Sequence, residues 1–269
     1  MREAPPEELE AALASSADRR GAFGQPLIFV SSAGSTNDIV QTLADGGAPH
    51  GAVAVAFAQT AGRGRQGRTW FSPPGAGLYM SVLIRNGAIA PLLTLAGGVA
   101  VAEGIRRATG LPPAIKWPND IVVGDSSAPD RRRKLAGLLA EGSTGDTGVQ
   151  HVVLGIGINV RPADYPPALL NRVTSLEREL GRPVDTGLLT AEILAALNEE
   201  VAALEAGRRD LVLERWRRLS PSSTGAQVSW TVNGETITGK TAGIDAEGAL
   251  LIRTGGEVRR IISGEVMWE

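Results

Sequence analysis

Cysteine is absent from the 269 residues, and histidine occurs only as His50 and His151. Without thiols there are no disulfides, thiolate metal sites, iron–sulfur clusters or cysteine nucleophile. Two imidazoles are too few for a His-built metal centre. Neither stands beside a Ser-centred elbow or in a His-x-x-x-His spacing, so a Ser-His-Asp relay is not expected either. No run reaches the roughly 18 apolar residues that span a bilayer, and residues 1–25 are charged and Ala-rich without an apolar targeting core. The expectation is a cytoplasmic chain with no membrane partner. A basic excess is lacking too: 27 Lys and Arg stand against 29 Asp and Glu, for a net charge of −2. That balance speaks against a whole-chain nucleic-acid binder and confines any phosphate chemistry to a local patch. Of the 27 cations only three are Lys, at Lys116, Lys134 and Lys240, against 24 Arg. Where Arg is the default, a retained Lys marks a position.

With 43% hydrophobic and 21% charged residues the chain is globular by composition, and its length suits one large domain plus a small one. Residues 7–15 pattern as a short amphipathic helix, stopped by Gly21, Gly24 and Pro26. Leu27 to Val30 reads as the first strand, Ser35-Thr36-Asn37-Asp38 as a helix start rich in capping side chains, and 52–58 and 78–84 as further strands. Pro91 opens a helix to about residue 107 on the spacing of Leu92, Leu95, Val99 and Ile105. An antiparallel meander is expected from 115–117, 121–123, 135–141 and 151–160, followed by helices at 187–206 and 208–219. Beyond Ser220-Pro221-Ser222-Ser223, alternating segments at 227–232, 236–244, 249–253 and 257–262, separated by turns such as Asn233-Gly234, predict a small β-barrel. The fold class is therefore α+β: a mixed, largely antiparallel sheet with flanking helices, and a C-terminal barrel. The expected divisions are a helical extension over 1–25, a main domain over 26–220 and the β unit over 221–269.

Three stretches carry chemistry. In Gly62-Arg63-Gly64-Arg65-Gln66-Gly67-Arg68-Thr69-Trp70 glycines alternate with arginines just after a strand. Glycine lets backbone wrap closely, and guanidinium grips phosphate or carboxylate bidentately. The pattern is neither a P-loop nor a dinucleotide fingerprint, and the Pro pair after Trp70 blocks a helix. It reads as an anion cradle or as a flexible Arg-Gly segment. Lys116-Trp117-Pro118-Asn119-Asp120 sets a compact cation beside two polar side chains, suited to a phosphoryl oxygen, a substrate or Mg²⁺, or else to a surface turn around a core Trp. Gly137 interrupts one strand. In 155–159, Gly155, Gly157 and Asn159 share one face, with Val152, Leu154, Ile156, Ile158 and Val160 on the other. Such a bare strip floors a ligand groove or admits a closely packed helix. The run Arg131-Arg132-Arg133 reads as a solvated loop.

Taken together and in order, Gly34-Ser-Thr-Asn37, the Gly62–Arg68 loop, Lys116–Asp120, Lys134-Leu-Ala-Gly137 and Gly155–Asn159 closely resemble the biotin protein ligases, over residues 26–269. The resemblance implies a catalytic domain related to class II aminoacyl-tRNA synthetases and an SH3-like terminal domain. The implied reaction activates biotin with ATP to biotinyl-5′-AMP, then biotinylates one lysine of a biotin carboxyl carrier protein of an acyl-CoA carboxylase. Matched position by position, biotin binding falls to Ser35, Thr36, Asn37, Gln59, Gly62, Arg63, Gly64, Arg65, Lys134, Gly137 and Gly155. ATP binding falls to Arg65, Arg68, Trp70, Lys116, Asn119 and Asn159, and catalysis to Lys116, Arg65, Asp120 and Lys134. A flexible Gly-Arg loop is expected to order when ligand supplies the opposing charge, and Mg²⁺ is expected with ATP. A homodimer stays open. Only about 25 residues precede the first strand, so the operator-binding module of some members, and DNA as a partner, are not expected. The stretch 124–133 is longer than the pattern requires. Competing readings are a lipoate or octanoate ligase or transferase of the same fold, and a nucleic-acid-binding regulator using Arg63, Arg65, Arg68 and Arg131 to Arg133.

Overall fold

The computed structural model describes residues 3–124, 132–146, 148–232, 235–264 and 266–268. Helices α1 (Glu7–Ser15) and α2 (Ala17–Arg20) lead into β1 (Leu27–Val30), α3 (Thr36–Asp45), β2 (Val53–Ala56), β3 (Gly77–Ile84) and the long α4 (Ala90–Thr109). The meander follows as β4 (Ala114–Lys116), β5 (Asp120–Val123), β6 (Arg133–Gly145) and β7 (Gly148–Asn159). A short α5 (Leu176–Leu180) precedes α6 (Thr186–Glu205) and α7 (Arg209–Leu219). The chain ends in β8 (Thr224–Val232), β9 (Glu235–Ile244), β10 (Leu250–Thr254), β11 (Glu257–Ile261) and β12 (Val266–Trp268).

Seven strands form one sheet in the order β1-β2-β3-β7-β6-β5-β4. Only β1 and β2 run parallel; every other neighbouring pair is antiparallel. The parallel pair follows from α3, which carries the chain back over one face before β2 begins, whereas β4 and β5, and β6 and β7, are antiparallel neighbours that follow one another within a few residues. The last five strands form a separate antiparallel sheet, β11-β10-β9-β8-β12. Helices at 17–20 and 176–180 and the strand at 266–268 are too short for a periodic signal, and the sequence reading passes over them.

The alternation along β7 sorts the two faces. Val152, Leu154, Ile156 and Ile158 join the main core with α4 and α6, while Val153 belongs to a smaller cluster with Val40 and Ala44 of α3. Helix α4 approaches the sheet through Gly97, where an added Cβ would stand 2.8 Å from a Leu138 methyl and 2.9 Å from one of Leu154. At Gly104 it meets α6, and a Cβ there would lie 2.5 Å from Ile193 Cγ1 and 2.8 Å from Ile193 Cα.

One expectation about apolar runs is corrected. Gly87–Thr109 is long and apolar enough to match a membrane span, but 72% of its apolar window is buried inside the protein. Its glycines and alanines are scattered enough to hide the run by inspection, and its hydrophobicity serves the contacts with α6 and the sheet. The turn at Asn233-Gly234 lies outside the described residues, as do 125–131 of the long connection. The turn after β4 is tied to the terminal sheet through Trp117 Nε1, which donates to Gly248 O between β9 and β10 at 3.0 Å, and β4 is tied to the end of α7 by Ser220 Oγ, which donates to Ile115 O at 2.8 Å.

Helices α1 and α2 both pack against α6, and α1 buries Leu9 and Leu13. Arg19 adds a bidentate ion pair with Glu192, whose carboxyl is held below its ordinary range chiefly by that hydrogen bond. A depressed folded-state value means the pair stabilises fully at neutral pH and loses its effect as pH falls through and below the carboxylate range. Glu192→Gln is expected to lower the melting temperature at pH 7, with the gap to the parent narrowing below about pH 4; a gap independent of pH would contradict it. Gly104→Ala is expected to destabilise by about 1–3 kcal/mol in urea titration, because α6 backbone must move. Gly98→Ala, whose Cβ would meet Ile115 at an ordinary 3.6 Å, should leave the midpoint unchanged or raised.

Candidate active site

The site is built on the α3 side of the sheet. Ser35, Thr36 and Asn37 sit at the start of α3, each no more than 5% exposed, and buried polar groups require partners. Ser35 is the N-cap residue but makes no side-chain cap bond. Gln59 Oε1 accepts from Thr36 N at 2.8 Å and from Thr36 Oγ1 at 3.1 Å. Ser81 of β3, fully buried, brings its hydroxyl to Thr36 Oγ1 at 2.7 Å and to Asn37 Oδ1, its single proton serving one acceptor at a time. The Asn37 amide then donates to Glu141 of β6.

Next to this wall, residues 62–70 form a tight hairpin. Gly64 N donates to Arg68 O at 2.7 Å and Trp70 N to Gly62 O at 3.0 Å, while Arg63 pairs with Thr69. The reversal passes through left-handed backbone at Gln66 and Gly67, which is why glycine stands at 67. Gly62 lies beneath the hairpin, where a Cβ would sit 2.6 Å from Trp70 O. Arg63 turns toward the wall and meets Asp38 at 2.8 Å and Glu141 at 3.0 Å. Arg65 turns the other way, toward Asn119 Oδ1 at 3.4 Å; burial lowers its pKa, with Asp120 opposing.

Trp70 carries the hairpin across the strands. A Cβ at Gly157 would be 2.6 Å from its Nε1, and one at Gly137 would be 2.8 Å from its ring. The glycine strip is therefore an indole seat at these two residues, while Gly155 faces Asn37, its Cβ position 2.4 Å from Oδ1. The buried Trp70 Nε1 has no acceptor. Lys134 Nζ lies 4.9 Å from a Trp70 ring centroid and 2.6 Å from Asp120 Oδ1. Lys116 opposes Asp120 across β4 and β5, and Asp120 opposes Gly137 on β6. Asn119 is fixed by Leu138, donating from Nδ2 to its carbonyl at 2.8 Å and accepting its N–H at 3.0 Å. Asn159 braces the far end, its Nδ2 donating to Thr174 O at 2.9 Å.

A cavity of about 770 Å³ gathers these groups. Every site residue named from the sequence lines it except Gly62. Arg65, Lys116 and Lys134 share its wall, giving a chain of slight net negative charge a local cationic pocket. Three contributors escaped the sequence reading. Ser81 and Glu141 look like ordinary strand residues, and the segment 165–173 carries only Tyr165 as a signal, its ring 5.7 Å from Phe71. Residues 266–268 bring the C-terminal sheet to the rim. The solvated-loop reading of the arginine run is corrected at Arg132 and Arg133. Arg132 is 9% exposed, reaches Ser222 Oγ at 2.8 Å and lines the cavity, and Arg133 pairs with Glu179 at 2.8 Å. Arg131 lies outside the described residues.

The arrangement holds an enclosed polar wall at one end and converging cations at the other, with neither His50 nor His151 among its lining. It suits holding an uncharged polar group at one end while anionic groups are brought together at the other. Residues 29–159 match the Biotin/lipoate A/B protein ligase family, and 225–267 match the Biotin protein ligase C terminal domain. The bifunctional ligase/repressor BirA of Bacillus subtilis is 35% identical over 249 residues, covering 91% of this chain and 74% of that protein. The biotin–[acetyl-CoA-carboxylase] ligase of Mycobacterium tuberculosis is 30% identical, covering 92% of this chain and 90% of that one. The biotin protein ligase from Aquifex aeolicus, solved in complex with biotin and ATP, superposes with a TM-score of 0.75 at 28% identity, covering 90% of this chain and 98% of that one. The chain belongs to the biotin protein ligase family.

The seating of Trp70 is open to test. Gly157→Ala places a methyl group inside the indole contact and is expected to lift the hairpin, speeding tryptic cleavage at Arg63, Arg65 or Arg68 by roughly tenfold. Gly142→Ala, whose Cβ would meet Val149 at an ordinary 3.8 Å, should leave cleavage unchanged. Equal protection in both variants would show that Trp70 does not anchor the hairpin.

Proposed function

We propose that this chain is an ATP-dependent ligase that activates biotin as biotinyl-5′-AMP and transfers the biotinyl group to a lysine of a biotin carboxyl carrier protein. The observation that carries the reading is the convergence of Arg65, Lys116 and Lys134 on one cavity whose far wall is the buried Ser35–Thr36–Asn37 run with half-buried Gln59. In this reading the polar wall, with Gly155, holds the biotin ring, and Gly64 lies over it. The biotin carboxylate attacks the α-phosphorus of ATP, forming the mixed anhydride as pyrophosphate leaves. The carrier lysine amine then attacks the acyl carbon, forming the amide and releasing AMP.

No protein nucleophile is needed, in keeping with a chain that has no Cys. The work of the side chains is alignment and charge stabilisation. Lys116, Arg65 and Lys134 face the carboxylate and α-phosphate; Arg68, Trp70, Asn119 and Asn159 stand on the nucleotide side. Asp120, already paired with Lys134, meets the incoming amine. Mg²⁺ is expected with the triphosphate, as a hard cation held by one or two protein oxygens together with substrate phosphates. The proposal places the reaction in the cytoplasm, with an acyl-CoA carboxylase carrier domain as acceptor, and divides the chain at about residues 25 and 220.

Biotin-dependent ATP–pyrophosphate exchange tests the first half-reaction, and the mass of an added carrier domain tests the second. Exchange supported by lipoate or octanoate in place of biotin would overturn the substrate assignment. Arg65→Ala removes a half-buried charged contact to the adenylate and is expected to speed loss of preformed biotinyl-5′-AMP by roughly ten- to hundredfold. Retention equal to that of the parent would remove Arg65 from the machinery.

A further inference from the structure

Arg63 stands in the same Gly-Arg hairpin as Arg65, yet its guanidinium does not enter the ring of cations around the phosphate end. It faces Asp38 of α3 at 2.8 Å and Glu141 of β6, the latter through both Nε at 3.3 Å and Nη2 at 3.0 Å. Glu141 is the hub of this contact. The carboxylate oxygen that meets Arg63 Nη2 also accepts the Asn37 side-chain amide, and Asn37 in turn shares Ser81 with Thr36 and, beyond it, Gln59. One continuous hydrogen-bonded chain therefore runs from the wall assigned to the biotin ring out to the hairpin that covers the cavity. A lone exposed ion pair contributes little. Here the guanidinium is shared between two carboxylates, one of them bidentate and braced by a buried amide, a geometry that fixes direction as well as charge.

We propose that Glu141 and Arg63 form a clamp that fastens the near limb of the Gly-Arg hairpin to the biotin wall, making both positioning residues for retention of the adenylate rather than phosphate ligands. The inference rests on the ligase reading above and deepens it. Asp38 and Glu141 supply, within the protein, opposing charge that the ligand alone does not have to provide. Asn37 orients Glu141, so ligand bonds to Thr36 or Asn37 restrict the same side chains, and an occupied pocket holds the clamp more firmly in register. The clamp thereby links the presence of the ring to closure of the hairpin over the reactive anhydride.

The test is a double-mutant cycle on full-length protein with Arg63→Ala, Glu141→Ala and the pair combined. The readouts are first-order release of preformed biotinyl-5′-AMP and the separate KM values for biotin and ATP in pyrophosphate exchange. Each single variant is expected to release the adenylate roughly three- to fivefold faster, with the double variant no faster than the more affected single one. KM for biotin should rise more than KM for ATP. Arg63→Ala leaves the Asn37–Glu141 contact in place, so its effect separates the clamp from damage to the biotin wall. Glu141→Gln, which still accepts hydrogen bonds from both partners, should fall between the parent and Glu141→Ala. Multiplicative effects in the double variant, or release unchanged in Arg63→Ala, would overturn the clamp. A parent with no biotin-dependent exchange would instead overturn the ligase reading.

Discussion

Alternation along β6 and β7 gives one pair of strands two opposite duties. Toward α4 they present Leu138, Leu154, Ile156 and Ile158, which complete the core. Toward α3 they present Gly137, Gly155 and Gly157, where any Cβ would enter Trp70 or Asn37. A slip of one residue would exchange the two sets, putting bulk under the indole and bare backbone under the helix. The register is therefore specified twice, once by burial and once by the need for empty space. The hairpin, the biotin wall and the Lys134–Asp120 pair all refer to this shared frame.

Charge is organised with similar economy. The chain carries slightly more acid than base, yet Arg65, Lys116, Arg132 and Lys134 line one cavity. Holding them there before any anion arrives requires local compensation: Asp120 faces Lys134, and the amide oxygen of Asn119 faces Arg65. Such prior arrangement reduces reorganisation when negative charge develops at phosphorus. It also explains why adenylation chemistry sits comfortably in a protein whose only two histidines are used elsewhere, His50 packed against Phe23 and His151 bonded to Gln41.

Much of this was legible before any coordinates. The meander, the long helix after Pro91 and the paired helices before residue 220 follow from periodicity and punctuation, with ends that shift by a few residues. Glycine in strand interiors and lysine in an arginine-rich chain identified the right stretches, because each is a residue type that needs a local reason. What escaped notice did so for equally physical causes. Ser81 and Glu141 acquire meaning only through partners 44 and 104 positions distant, as does Arg132, whose partner Ser222 is 90 positions along. The apolar run at 87–109 is interrupted by small residues, which leave its apolar character spread thin along the sequence until burial against α6 and the sheet reveals it.

The indole of Trp117 ties these themes to the far end of the chain. It is buried beside Lys116, and its N–H is anchored on the carbonyl of Gly248, at the turn between β9 and β10. That turn rests in addition on Leu92 and Leu95 of α4. The terminal sheet is thus no passive appendage: its β9–β10 corner is the acceptor that fixes the indole standing beside Lys116, so the orientation of one cavity-lining segment is set by a residue more than a hundred positions away.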